Sequence, residues 1–146
     1  MTPWDLRYLR LARFIAQEFS KDPSTKVGAV IVRPNRTIAG IGYNGLPRGV
    51  VDSPERLNDR ETKYGCTVHA ELNAILNCAE RPEGCTLYVW PLPPCSNCAA
   101  AIIQAGVKRV VHLAFWESRL RDSILLGNTL LTEAGVAKFI VSNSEV

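Results

Sequence analysis

Apolar side chains recur at helical spacing through Trp4, Tyr8, Leu11, Ala12, Ile15 and Phe19, which predicts an amphipathic helix over residues 3–20. Lys21-Asp22-Pro23 ends it, because proline cannot continue a helix. The pattern then changes period. Val27 to Val32 is a short apolar, β-branched run, Pro34-Asn35-Arg36 is a turn signal, and Thr37 to Tyr43 reads as the partner strand of a hairpin over 27–43. Asn44 to Lys63 carries no period and is rich in Gly, Pro, Asp and Arg, so it reads as a long loop, functional or mobile. Helical spacing returns at Ala70, Ala74, Ile75 and Cys78, and Cys85 to Trp90 reads as a strand. Pro91-Leu92-Pro93-Pro94 breaks that strand. Cys95 to Ala105 reads as a helix closed by Gly106 in a left-handed cap, with Pro94 suited to its first turn.

The chain then echoes itself. Ala105-Gly106-Val107-Lys108-Arg109-Val110-Val111 resembles Ala134-Gly135-Val136-Ala137-Lys138-Phe139-Ile140, each a helix end, a glycine cap and a strand. A helix from Leu120 to Ala134 joins the two, and strand–helix–strand with short links implies a parallel pair. The expected fold is therefore a single domain over residues 1–146: a five-stranded mixed sheet that begins with an antiparallel hairpin, has its last two strands parallel, and is covered by helices in a three-layer α/β/α arrangement.

Composition narrows the function classes. A net charge of +3 makes no case for a nucleic-acid binder, and no apolar run approaches a membrane span. Met1 to Arg10 does not read as a signal peptide, so a reducing cytoplasmic setting is expected for the five cysteines. Cys66, Cys78 and Cys85 are scattered and read as buried small apolar side chains; a second zinc site joining them to His112 is the alternative.

The chemistry concentrates in His69-Ala70-Glu71 and Pro94-Cys95-Ser96-Asn97-Cys98. A catalytic zinc takes three protein ligands and keeps a fourth position for water, and His69, Cys95 and Cys98 are three. Cys95 and Cys98, three apart, share one face of a helix start, where amide N–H groups favour thiolates. His69 and Glu71, two apart, point in roughly opposite directions inside a helix, so they converge only where a helix begins. Glu71 is then the proton shuttle beside the metal. The alternatives for the cysteine pair are a redox couple or half of a structural zinc site completed by His112 or Cys85.

The pattern H-x-E…P-C-x-x-C matches the general signature of zinc-dependent nucleobase deaminases. With Ser20-Lys21-Asp22-Pro23-Ser24-Thr25-Lys26-Val27-Gly28-Ala29-Val30, Gly42-Tyr43-Asn44-Gly45-Leu46-Pro47-Arg48-Gly49 and Asn73-Ala74-Ile75-Leu76-Asn77, the chain resembles the cytidine/deoxycytidylate deaminase superfamily, and within it the dCMP deaminases. The resemblance implies a cytidine-deaminase-like fold, Zn2+ at His69, Cys95 and Cys98, and proton transfer by Glu71. It further implies Asn44 on the sugar or phosphate and the Ala70 backbone on the pyrimidine edge. Ser24, Thr25 and Lys26 are expected at the mouth of the site, where hydroxyls and a cation suit a phosphate, although a polar turn has the same composition. Arg48 serves the phosphate or solvates its loop. A nucleoside triphosphate effector and a homo-oligomer are implied as well.

The chain departs from the family pattern at Trp90-Pro91-Leu92-Pro93-Pro94-Cys95 and at Ala114-Phe115-Trp116-Glu117-Ser118-Arg119. Trp90 and Trp116 are candidates to stack on a base, with packing as the alternative. The expected activity is hydrolytic deamination of a cytosine nucleotide, dCMP to dUMP and ammonia. The competing readings are a deaminase of guanine or of adenosine in tRNA, and a non-catalytic nucleotide-binding protein of the same fold.

Overall fold

The computed structural model describes residues 1–115 and 119–146. Helix α1 spans Pro3–Phe19, and the strands of the hairpin are β1, Gly28–Val32, and β2, Ile38–Tyr43. Helices α2 (Pro54–Asn58), α3 (Arg60–Cys66) and α4 (Ala70–Asn77) follow. The second half runs β3 (Thr86–Trp90), α5 (Ser96–Gln104), β4 (Arg109–Leu113), α6 (Arg121–Glu133) and β5 (Ala137–Val141).

The five strands form one sheet in the order β2-β1-β3-β4-β5. β1 pairs antiparallel with both β2 and β3, whereas β3–β4 and β4–β5 are parallel. The expected parallel pair is present, and parallel pairing extends one strand further, to β3. Helix α5 is the whole-helix crossover that a parallel β3–β4 connection needs.

Alternation along β1 explains the layers. Val30 and Val32 pack against Tyr8, Leu9, Ala12 and Ile15 of α1. Ala29 and Ile31 pack on the other face with Ala70 and Ala74 of α4, Ala99 and Ile102 of α5, and Leu131 of α6. Covered on both sides, β1 is buried along its whole length and therefore reads as a continuous apolar run. One polar cluster fastens α1 to the sheet: Asp5 accepts from Arg109 at 2.7 and 2.8 Å and from the Tyr88 hydroxyl at 2.8 Å. Burial alone would raise the Asp5 carboxyl, but Arg109, the Thr2 N–H and Tyr88 hold it well below the usual carboxylate range.

Two expectations are corrected here. The segment from Asn44 to Lys63 is not a plain loop, because α2 and the start of α3 lie within it. Ser53 accepts the Arg56 N–H and Asp59 accepts the Thr62 N–H, so each short helix is capped at its start. Among its residues only Lys63 is buried in these two helices, which is why they leave no apolar period. Helix α5 begins at Ser96, so Cys95 is its N-cap and Pro94 precedes the helix instead of opening it. Gly106, at φ +83°, closes the other end as expected.

Gly42 sets the distance between β2 and α4. A Cβ there would lie 2.4 Å from both the Ala70 carbonyl oxygen and the Ala74 nitrogen, inside the first turn of α4. Gly42→Val is expected to destabilise the protein by about 3 kcal/mol or more, roughly 10 °C in Tm for a chain of this size. Thermal denaturation checks this, and a Tm within about 2 °C of the parent would refute it.

Candidate metal centre and substrate cleft

The site is built where β2 and β3 end and β1 begins, since Gly28 lies between Tyr43 and Trp90 in register. From β2 the chain passes through Asn44 to Gly45, which pairs with Val68 in an isolated antiparallel bridge. That bridge holds Val68 extended and delivers His69 as the N-cap of α4, at φ −69° and ψ 152°. His69 is therefore outside the helix and Glu71 is in its first turn, which is the arrangement their two-residue spacing requires. From β3, the proline segment delivers Cys95 as the N-cap of α5, with Cys98 in the first turn. The Ser123 hydroxyl of α6 accepts the Ser96 N–H at 3.1 Å and braces this helix start.

The two helix starts converge. His69 Nδ1 lies 3.5 Å from Cys95 Sγ and 3.3 Å from Cys98 Sγ. The three ligand atoms all lie within 4.8 Å of one another. Zinc bonds of about 2.0 Å to nitrogen and about 2.3 Å to sulfur, at tetrahedral angles, separate the two donors by about 3.5 Å. The donor set and its spacing thus fit a zinc ion. Among the described residues no other His, Cys and acidic group is so gathered. Cys66 is exposed, the Cys78 thiol faces the Ala74 carbonyl at 3.3 Å, and His112 Nδ1 faces the Leu113 carbonyl at 2.9 Å. The second zinc site joining these residues does not form.

The electrostatics suit a metal and a proton shuttle. Hydrogen bonds from Cys98 and His69 hold the Cys95 thiol down at about 4, although burial opposes them. The Cys98 thiol is pushed far up by its bond to Cys95 and by burial, so the pair shares a proton that a cation must displace. The bond to Cys95 raises His69. Glu71 is only 4% exposed. Burial pushes its carboxyl up to about 7, against the pull of a backbone hydrogen bond and His69.

A cleft of about 310 Å3 opens over these groups. Asn44, Thr25, Ala70, Glu71, His69 and Cys95 line it, so the structure brings these expected residues together. Ser24, Lys26 and Arg48 do not line it. The Ser24 and Thr25 N–H groups are turned inward to Asp22, at 2.8 and 3.0 Å, and Arg48 lines a separate cleft beside β2. Trp90 packs under α1 with Arg13 over its ring at 5.9 Å, so it is a packing residue on the opposite face. Trp116 lies outside the described residues. Sequence reasoning missed Lys63, Tyr64 and Arg119, which also line the cleft. The Arg119 guanidinium donates to the Tyr64 hydroxyl and lies over its ring, linking α3 to the approach to α6.

Comparison with known proteins decides the family. Residues 2–114 match the model of the cytidine and deoxycytidylate deaminase zinc-binding region. The chain belongs to this family. It is similar to human deoxycytidylate deaminase, 42% identical over 149 residues that cover 95% of this chain and 82% of the human protein. It is equally similar to an uncharacterized deaminase of Aliivibrio fischeri encoded in the luxG 3' region, 42% identical over 139 residues that cover 93% of this chain and 92% of that protein. Among solved structures, the dCMP deaminase of cyanophage S-TIM5 in complex with dCMP and dUMP superposes with a TM-score of 0.76 at 29% identity, covering 97% of this chain and 99% of the phage protein. The five-stranded mixed sheet with its flanking helices is thus the cytidine-deaminase-like fold expected from the sequence.

Proposed function

We propose that the chain hydrolytically deaminates a cytosine nucleotide, converting dCMP and water to dUMP and ammonia. The observation that carries this is the convergence of His69, Cys95 and Cys98 beside a buried carboxyl, Glu71, in a cleft of nucleotide size. Likeness to deoxycytidylate deaminases narrows the base. His69 Nδ1 and the two thiolates would hold Zn2+, which supplies a Lewis acid that lowers the pKa of a bound water to near neutrality. Glu71 takes one proton of the attacking water to the ring nitrogen. It then carries the second, from the hydroxyl added to the ring carbon, to the amino group, so that the C–N bond breaks, ammonia leaves and the carbonyl of dUMP forms. The Ala70 N–H, in the first turn of α4 and without an intrahelical partner, faces the pyrimidine edge.

Asn44 is the residue for the sugar. Its Nδ2 donates to the Thr25 carbonyl at 2.8 Å but meets Asp22 only at 3.5 Å, so one N–H can turn to a hydroxyl. For the phosphate, the cleft's described cations are Lys63 and Arg119 besides His69. Lys63 is committed to Asp22 at 3.1 Å, so Arg119 meets the 5'-phosphate.

The wider partner set follows the family resemblance. The cleft beside β2, about 620 Å3 and lined by Arg48, Lys21 and Asn44, is the place for a nucleoside triphosphate effector. Exposed Phe19, Ile41, Tyr43 and Leu76 form a surface for self-association. Asn73 and Asn77 donate to the Tyr43 and Ile41 carbonyls and cover the β2 edge, so subunits meet there through side chains and not by added strands. Five free thiols fit a reducing compartment such as the cytoplasm. No helix among the described residues is long and apolar enough to cross a membrane.

The test is ammonia release from dCMP, CMP, dCTP, deoxycytidine, guanine and adenosine-containing RNA, with zinc measured and dCTP and dTTP added as effectors. We expect dCMP to exceed deoxycytidine in kcat/KM by about 100-fold, and Arg119→Ala to remove most of that ratio through dCMP alone. Release confined to guanine, a nucleoside or RNA would refute the assignment.

A further inference from the structure

Lys63 brings an ammonium group into a place where charge is costly. Its side chain is 8% exposed and that of its partner Asp22 is 10% exposed. Lys63 Nζ donates to Asp22 Oδ1 at 3.1 Å and to the Ser24 hydroxyl at 3.3 Å. The same Asp22 oxygen accepts the Ser24 and Thr25 N–H groups at 2.8 and 3.0 Å, while Oδ2 faces Asn44 Nδ2. Asn44 continues the network: its Oδ1 accepts the Val27 N–H at 2.8 Å and the Ser20 hydroxyl at 2.7 Å. One lysine thus ties α3 to the turn after α1 and to the end of β2.

A buried ion pair of this kind is no better for stability than a well-packed apolar pair, and losing one partner strands the other charge. Its distinctive property is geometric. Asp22, Thr25, Asn44 and Lys63 all line the substrate cleft. None of the hydrogen bonds of Lys63 or Asp22 reaches His69, Glu71, Cys95 or Cys98.

We infer that Lys63 is a positioning residue for deamination: by holding Asp22 it sets the Thr25 backbone and the Asn44 amide that face the nucleotide, and it does not touch the reacting atoms. This rests on the cytosine-nucleotide reading. It assigns the excursion between β2 and α4 a task, which is to carry the cation that holds Asp22 in the cleft lining.

The effect falls on substrate binding, since the proton shuttle and metal ligands keep their own supports. In zinc-loaded full-length protein, Lys63→Met raises KM for dCMP about tenfold or more while kcat stays within about threefold and zinc content is unchanged. Lys63→Arg restores most of the lost affinity, because a cation again reaches Asp22. Asp22→Asn, nearly isosteric, reproduces the KM effect, and the double variant Asp22→Asn/Lys63→Met is less impaired than the sum of the singles. An unchanged KM in Lys63→Met or Asp22→Asn overturns the inference, as does a loss of kcat with KM preserved. Should Lys63→Met fail to fold, the Lys63→Arg and Asp22→Asn pair decides by the same split. If the parent protein releases no ammonia from any cytosine nucleotide, the functional reading fails first; if it does and KM is insensitive, only the role of Lys63 fails.

Discussion

Glu71→Gln is expected to lower kcat for dCMP by about 10³-fold while the protein stays folded and zinc-loaded. In the proposed reaction one carboxyl serves both proton transfers, and an amide of the same shape can serve neither. The variant should not be less stable. Burial raises the Glu71 carboxyl from 4.5 to about 7, so folding favours its protonated form. The sign follows from linkage: ionised Glu71 opposes folding progressively as pH rises from 4.5, and fully above about 7. Glutamine removes that cost, so the Tm advantage of Glu71→Gln should be greatest near pH 8 and vanish below pH 4.5. A cation held beside the carboxylate stabilises its charge and shrinks the advantage, so zinc-loaded protein should show less of it than zinc-stripped protein. Steady-state kinetics and thermal denaturation across pH check both halves. Retained kcat would remove Glu71 from the mechanism, and a lower Tm at pH 8 would mean that its burial is not the source of the raised pKa.

Parts of the site were legible in one dimension and others were not. His69 and Glu71 announce themselves because a two-residue spacing makes chemical sense only at a helix start, and the bridge between Gly45 and Val68 supplies that start. The layers were legible because β1 alternates between two cores and α1 keeps one apolar stripe. Helices α2 and α3 bury almost nothing, so they lack the period that reveals a helix, and only their capping residues Ser53 and Asp59 mark them. The parallel β3–β4 pair escaped because the internal echo begins at Ala105, after β3 has ended.

Substrate contacts were the least legible part, for a related reason. Ser24, Thr25 and Lys26 have the composition of an anion cradle, yet the Ser24 and Thr25 amides are spent on Asp22. An Asx turn and a phosphate loop draw on the same residue types, and only the direction of the N–H groups separates them. Lys63 and Arg119 reach the cleft from segments with no motif, and their position depends on tertiary packing.

Cys98→Ala should be the most damaging change at the metal centre. Cys98 sits in the first turn of α5, 4% exposed, and its thiol keeps its proton where Cys95 gives one up. Zinc binding must therefore displace protons from Cys98 and, with its raised pKa, from His69. Zinc affinity is expected to rise with pH, and zinc addition to the stripped protein should acidify a weakly buffered solution. Removing Cys98 deletes a ligand and leaves a small apolar void beside the Cys95 thiolate. The expected loss in zinc affinity is about 100-fold or more, equivalent to about 2.7 kcal/mol, with deaminase activity lost in proportion to zinc. Chelator treatment followed by zinc should restore the parent but not Cys98→Ala, with zinc measured by elemental analysis. A variant that regains full zinc and full activity would show that His69 and Cys95 suffice, and would move Cys98 from the metal to the packing of α5. Because the proposed ligands would join α4 and α5 at this end through the metal, zinc removal should also lower Tm, and Cys98→Ala should show no further fall on chelation.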